Sequence, residues 1–287
     1  MTVTGAAPTL VSGQLDEIAA DVRRLVANNA SYMTGPGTNT YIVGRERFAV
    51  IDPGPAAEPH VQRILQETGG RIAAVLVTHT HRDHSPAAQA IAAATGAEVL
   101  GRTAPDDGRQ DLAFTATRMM NDGDALTVDD LTLRAVHTPG HASNHLCFVL
   151  EGTGLIFTGD HLMQGSTVVI APPDGNMSQY LRSLQRLQNE PVTRIAPGHG
   201  LTIEDAQSEI EHIIAHRLKR EAKVVERLAE MGKANLDALV ARVYDDVDSR
   251  LHPLAKSSLL AHLLKLEEDG RVRSDSDAQW QVIQPGQ

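Results

Sequence analysis

Apolar positions along this chain fall into short runs separated by turns, and each run predicts an element. Leu15 to Val26 reads as a short helical segment. "NTYIVGRERFAVIDPGP" alternates β-type runs with turns, bending near Gly44–Arg45 and stopping at Asp52-Pro53-Gly54. "EPHVQRILQETGG" predicts a helix closed by Gly69-Gly70. "RIAAVLVTH" is a buried strand. "SPAAQAIAAATGA" is an Ala-rich helix with Ser85 as N-cap and Pro86 at its first position, and "AEVLG" is a strand. "LTLRAVHTPGH", "HLCFVLEGTGLIFTGD" and "TRIAPGHG" each carry a β-type run ending near a His or Asp. Strands alternating with helices imply an α/β fold whose polar residues collect in the loops after strands.

The pattern changes after His199. Ile203 to Met231 predicts one long helix with Ile210, Ile213, Ile214, Leu218, Val225 and Leu228 on one face. "NLDALVARVY" and "PLAKSSLLAHLLKLEEDG" are helical, and "RVRSDSDAQWQVI" is a short strand pair. That order is the order of a winged helix-turn-helix. The expected division is residues 1–202 for the α/β part and 203–287 for a winged-helix-like part.

Composition narrows the classes. The chain has 287 residues, 41% of them hydrophobic and only 3% aromatic, so its core rests on Ala, Val, Leu and Ile. A formal charge of −10 argues against non-specific nucleic-acid binding by the whole molecule. The single cysteine, Cys147, forms no internal disulfide and reads as a buried thiol. No apolar run approaches the ~20 residues of a membrane span. "MTVTGAAPTLVSGQ" lacks the pattern of a signal peptide, so a cytoplasmic location is expected.

The chemistry is concentrated in "VLVTHTHRDHSPAA". His79, His81, Asp83 and His84 crowd one bend after a buried strand. Imidazole and carboxylate together suit zinc, with iron or manganese as substitutes, and a cation removes the cost of burying such a group. His79 and His81 share a side in extended backbone, whereas Asp83 and His84 lie beyond the bend, so one loop can serve two adjacent metals. "TPGHASNH", "FTGDHL" and "APGHG" add His141, Asp160 and His199, each beside a Gly at the end of a β-run. Glycine lets the backbone approach closely there.

These motifs resemble the metallo-β-lactamase superfamily, whose signature is His-x-His-x-Asp-His followed by His, Asp and His. The resemblance covers residues 30–200 and implies a four-layer αββα sandwich with a site at one edge of the sheets. It also implies two Zn2+ per chain. His79, His81 and His141 would hold the first, Asp83, His84 and His199 the second, with Asp160 bridging. "GPGTNTYIVG", "THTHRDHS", "TPGHASNH", "PGHG" and "HIIAHRLKRE" are similar to the β-lactamase-like protein 2 subgroup, which carries a winged-helix-like extension and includes an endoribonuclease and acyl-carrier thioesterases. The "HLMQGSTVVIAPPDGNM" stretch after Asp160 differs from the Thr-Leu-Phe usual in glyoxalase II. Asp83 is mostly missing from secreted class B β-lactamases.

The expected activity is hydrolysis of an ester, thioester or lactone by a metal-bridging hydroxide, with Asp83 as ligand and proton carrier. The alternative substrate is single-stranded RNA, cut as a phosphodiester. A third class is a nucleic-acid-binding regulator with a structural metal, disfavoured because seven ligands exceed a closed four-ligand site.

Other residues have weaker readings. His145 is expected beside the metals or in a strand. His161 points away from them near the pocket, and His137 is structural. Asn39 and Tyr41 would line the pocket mouth. His212, His216, Lys219, Arg220, Lys223 and Arg227 form a basic stripe, diluted by Glu209, Glu226 and Glu230 and read as a solvated face. Glu267, Glu268, Asp269, Asp275 and Asp277 would repel duplex DNA. The C-terminal part is therefore expected to pack, to cover the pocket or to form a homodimer.

Overall fold

The computed structural model describes residues 10–283. The reading of the first residues as lacking a leader falls largely on positions 1–9, outside the described residues. The first sheet has seven strands in sequential order: β1 (Leu15–Ala19), β2 (Val22–Val26), β3 (Asn39–Gly44), β4 (Phe48–Ile51), β5 (Ile72–Leu76), β6 (Glu98–Gly101) and β7 (Arg118–Met119). The second holds β8 (Ala125–Val128), β9 (Leu131–His137), β10 (Leu146–Leu150), β11 (Leu155–Gly159) and β12 (Arg194–Pro197), in the order β12-β11-β10-β9-β8.

Alternation along the strands builds the layers. Leu146, Phe148 and Leu150 of β10 join Tyr41, Val43, Ile51 and Leu76 between the sheets. Cys147 and Val149 face the other way, onto α3 (Met177–Leu187) and the first half of α4 (Ala206–Met231), where Tyr180, Leu184, Ile210 and Ile213 are buried. On the outer face of the first sheet, Val50 and Val75 meet α1 (Glu58–Thr68) and α2 (Ala87–Thr95) through Val61, Ile64 and Ile91. Helix, sheet, sheet, helix is the αββα arrangement. Full burial of each such Leu, Ile or Phe contributes about 1.5–3 kcal/mol.

The segment expected to be helical from Leu15 to Val26 is instead the β1–β2 hairpin, paired Leu15 to Leu25 and turned at Asp21, whose φ is 62°. β2 also pairs with β3 along its whole length. That pairing outweighs a weak local helical preference. Ser85 does not cap α2. Its hydroxyl donates to Asp111 at 2.8 Å, and Pro86 occupies the cap position without a side-chain bond.

The C-terminal part contains α5 (Leu236–Val243), α6 (His252–Glu268) and the pair β13 (Val272–Ser274) and β14 (Trp280–Val282). The second half of α4 joins them through Val224 and Leu228, packed with Leu239, Leu263 and Trp280. α4 thus belongs to two cores. Of its expected apolar face, Leu218 is an exception at 47% exposed.

Candidate metal centre

β4 and β5 run parallel in the first sheet, β9, β11 and β12 run one way in the second, and the loops after them meet at one edge of the sandwich. The loops after them carry every residue singled out by the motifs. His79, His81, Asp83 and His84 follow β5, and His141 follows β9. Asp160 follows β11, and His199 follows β12. Three groups result whose nitrogen or oxygen atoms all lie within 4.8 Å of one another: His79, His81 and His141; His79, His84 and Asp160; Asp83, His84 and His199.

In the first group His79 Nε2 and His141 Nε2 lie 2.9 and 3.0 Å from His81 Nδ1. Three ring nitrogens pointing at one another cannot all be satisfied by shared protons. Around Asp83, His84 and His199, His199 Nε2 is 3.2 Å from Asp83 Oδ2, and His84 Nε2 and His199 Nε2 lie 3.4 and 3.3 Å from Asp160 Oδ1. These contacts allow charge pairing but lack hydrogen-bond geometry, and His84 Nε2, His199 Nε2 and Asp160 Oδ1 are buried without a partner. The other carboxylate oxygen of Asp160 faces the first group, 3.6 Å from His141 Nε2. Orphaned lone pairs converging from imidazole and carboxylate fit divalent cations.

The far nitrogens are anchored. His141 Nδ1 meets Val169 O at 2.8 Å, His199 Nδ1 meets Gly37 O at 3.2 Å, and His79 Nδ1 meets the Thr78 hydroxyl at 3.0 Å. His84 Nδ1 meets Asp52 Oδ2 at 2.9 Å. Such partners fix ring orientation and leave the inward nitrogen free to bind. Asp52 also accepts from Thr78 N and Thr78 Oγ1 at 2.8 and 2.7 Å, and it adopts a φ of 48° at the end of β4. Along the sequence Asp52 reads only as a strand stop. The available signal was a carboxylate ending a buried run beside a Pro-Gly turn.

Glycine works here as expected. A Cβ on Gly198 would stand 2.7 Å from Asp160 Oδ1, and one on Gly159, where φ is 44°, 2.4 Å from Thr78 Oγ1. Asn39 and Tyr41 are buried and do not line the pocket mouth. Asn39 Nδ2 donates to Pro197 O and Gly200 O, both at 2.9 Å, and Tyr41 Oη donates to Pro197 O at 2.7 Å, so they hold the His199 loop. His145 lies behind His79, rings 5.1 Å apart, and is held by Thr138 Oγ1. His161 is fully buried and faces Tyr180. His137 bonds Ser143 O, the structural role expected of it.

Electrostatically the two groups differ. Burial, reinforced by His84 and His81, pushes the His79 imidazole well below its ordinary range, and burial beside His141 takes His81 down to about 3. Burial also acts against protonation of His84 and His199. Asp83, Asp160 and Asp52 outweigh it at His84, which is raised, and Asp160 with Asp83 raises His199 to about 9. In return, His84 and His199 outweigh the burial of Asp83 and bring it down to about 2.

Two cavities meet the cluster. The larger, about 540 Å³, runs from His141, Asp160 and His199 past Met33, Met163 and Val168 to Arg217, Tyr244 and Leu254 of the C-terminal part. The smaller, about 270 Å³, is bordered by His81, Asp83, Arg82 and Arg109.

Residues 33–199 match the model of the metallo-beta-lactamase superfamily. The chain belongs to that superfamily. Residues 236–280 of this metallo-β-lactamase relative match the beta-lactamase associated winged helix domain. It is 31% identical to a beta-lactamase-like protein 2 homolog of Drosophila melanogaster over 93% of this chain and 96% of that one. It is 32% identical to an atrochrysone carboxyl ACP thioesterase of Aspergillus novofumigatus, over 91% of this chain and 83% of that one. A beta-lactamase domain protein from Burkholderia ambifaria shares the fold at a TM-score of 0.81 and 22% identity, covering 96% of both chains. This superfamily member is a metallohydrolase. Among the described residues no helix is long and apolar enough to cross a membrane.

Proposed function

We propose that the chain hydrolyses thioesters or related carboxylic esters with two divalent metal ions, zinc being the chemistry best suited to the donors. The observation that carries this is Asp160, which presents one oxygen to each of two convergent groups at the mouth of a largely apolar cavity. His79, His81 and His141 would hold one ion and Asp83, His84 and His199 the other, with Asp160 between. When bound, such ions supply an acidified water as nucleophile and a Lewis acid for the carbonyl. The chain supplies the rest. The cavity walls bind the acyl group and keep bulk water out. Asp83, ionised and 29% exposed beside the smaller cavity, accepts the proton of the attacking water and returns it to the leaving thiolate. The products are a carboxylic acid and a thiol. The thioesterase name of the Aspergillus relative supports a thioester in particular.

An RNA substrate has less support. Of the basic side chains on α4, Arg220 pairs with Asp246, Lys223 with Asp245 and Arg227 with Glu230, so the stripe offers little open charge for a phosphate backbone.

Purified protein should carry close to two transition-metal ions per chain and cleave N-acetylcysteamine thioesters, with activity lost in EDTA and restored by zinc. Full activity in EDTA, or no hydrolysis by the metal-loaded chain, would refute this function.

Two further results are expected. Asp52→Asn leaves His84 without its carboxylate partner and should weaken metal binding about 10–100-fold; metal titration with a competing chelator checks it, and unchanged affinity would show that Asp52 only shapes the loop. The pH dependence of loading should differ between the groups. His79 and His81 hold no proton at neutral pH, so the first ion has none to displace from them and its affinity should depend less on pH. His84 and His199 hold protons that the second ion must displace, so its affinity should climb as pH rises toward about 9. Titrations at several pH values with equal slopes for both ions would contradict this assignment.

A further inference from the structure

One wall of the larger cavity is formed by α4 and the segment around Tyr244. Arg217 stands on that wall and is 3% exposed. Its Nη2 donates to Val168 O, but its Nε has no acceptor. Among the described residues no carboxylate pairs with it, in contrast to Arg220, whose two ends are taken by Asp246 at 2.7 and 2.9 Å. The Tyr180 ring lies 5.3 Å from the Arg217 guanidinium carbon but brings no counter-charge, and burial raises the Tyr180 hydroxyl above its ordinary range, which keeps it neutral.

Two more polar atoms of the same wall are buried without partners, Tyr244 Oη and His216 Nδ1. A guanidinium stays charged when buried, so Arg217 keeps an uncompensated positive charge beside a cavity. The rest of the lining is mainly apolar, with Met33, Met163, Val168 and Leu254. The cavity thus brings together the His/Asp cluster, an apolar lining and a buried cation without a carboxylate partner.

We propose that this wall is an anion subsite centred on Arg217, and that the substrate is an acyl compound bearing a negative group besides the bond cleaved. The proposal rests on the thioester hydrolysis argued above and adds to it a charge that the substrate must carry. The anion can be a carboxylate on the acyl chain or a phosphate on the thiol portion, and both are read by the same guanidinium.

The experiment measures kcat/KM for two pairs of thioesters on the metal-loaded full chain. One pair is the N-acetylcysteamine thioester of adipic acid and that of its monomethyl ester. The other is hexanoyl phosphopantetheine and hexanoyl pantetheine. The wild-type chain should favour the charged member of at least one pair by about tenfold or more, the value of one charge-assisted contact. The favoured pair identifies the anion as carboxylate or phosphate. Arg217→Met and Arg217→Gln should each bring that ratio close to one, and the Gln variant keeps a donor for Val168 O. Lys219→Met, exposed on the same helix, should leave the ratio as it is. A wild-type ratio near one in both pairs overturns the subsite without any variant having to fold, and so does a ratio that survives both Arg217 substitutions. Turnover of the uncharged thioesters by the wild-type chain reports separately on the hydrolase itself, so a failure of the subsite and a failure of the hydrolase give different results.

Discussion

Replacing Asp160 with alanine should lower thioester hydrolysis by at least about 10³-fold, some 4 kcal/mol of transition-state stabilisation. The size follows from position. Asp160 reaches both histidine groups, through Oδ2 to His141 and through Oδ1 to His84 and His199. Its removal leaves the raised imidazoles of His84 and His199 with one carboxylate fewer to balance them, so like charges then face each other in a buried space. Bound metal should fall from close to two ions per chain to one or fewer, measured by elemental analysis of the desalted protein. His145→Ala is the matched comparison. His145 is as buried as the cluster yet belongs to none of its three groups, so its loss should cost packing and little metal. Equal metal content in the two variants would remove Asp160 from its bridging role.

Ending the chain at Thr202 should yield insoluble protein. The first half of α4 places Ala206, Ile210 and Ile213, each no more than 3% exposed, on the outer face of the second sheet with Cys147, Val149 and Leu184. Deleting buried side chains of this kind costs about 2–5 kcal/mol each for the larger ones, and losing several together consumes most of the ~5–15 kcal/mol that holds a domain folded. The stripped sheet face is also a contiguous apolar surface that invites association. Soluble fraction after expression and light scattering test this. A monodisperse, active chain of residues 1–202 would show that α4 is dispensable to the sandwich.

The motif residues were legible because their chemistry is local: four ligand-type side chains within six positions, and three more each beside a glycine after an apolar run. Their convergence needed only that parallel strands end at one edge. The β1–β2 hairpin was not legible, because its pairing partner β3 lies beyond Val26 and the strand is stabilised by that partner rather than by its own sequence. Asp52 escaped for a related reason. Its role depends on a contact 32 residues away with His84, and a carboxylate before Pro-Gly looks the same whether it ends a turn or holds an imidazole. The α4 stripe, read as a solvated face, was legible only in part. Spacing identifies which residues share a face but not what covers it: Arg220 is buried and paired with Asp246, Asp245 and Glu230 take up more of that charge, and Arg217, absent from the stripe, is a buried cation with no carboxylate partner among the described residues.

The double membership of α4 also bears on how the chain is made. A ribosome extrudes the two sheets first, and domains ordinarily settle as their last segment emerges. Here the outer face of the second sheet is covered only in part, by α3, until Ala206 to Ile213 has been translated, and those residues are the start of a helix whose other end is buried with Leu239, Leu263 and Trp280. Translation pauses or premature stops between Thr202 and Trp280 would therefore present the cell's quality-control machinery with an open sandwich rather than a finished enzyme lacking an appendage.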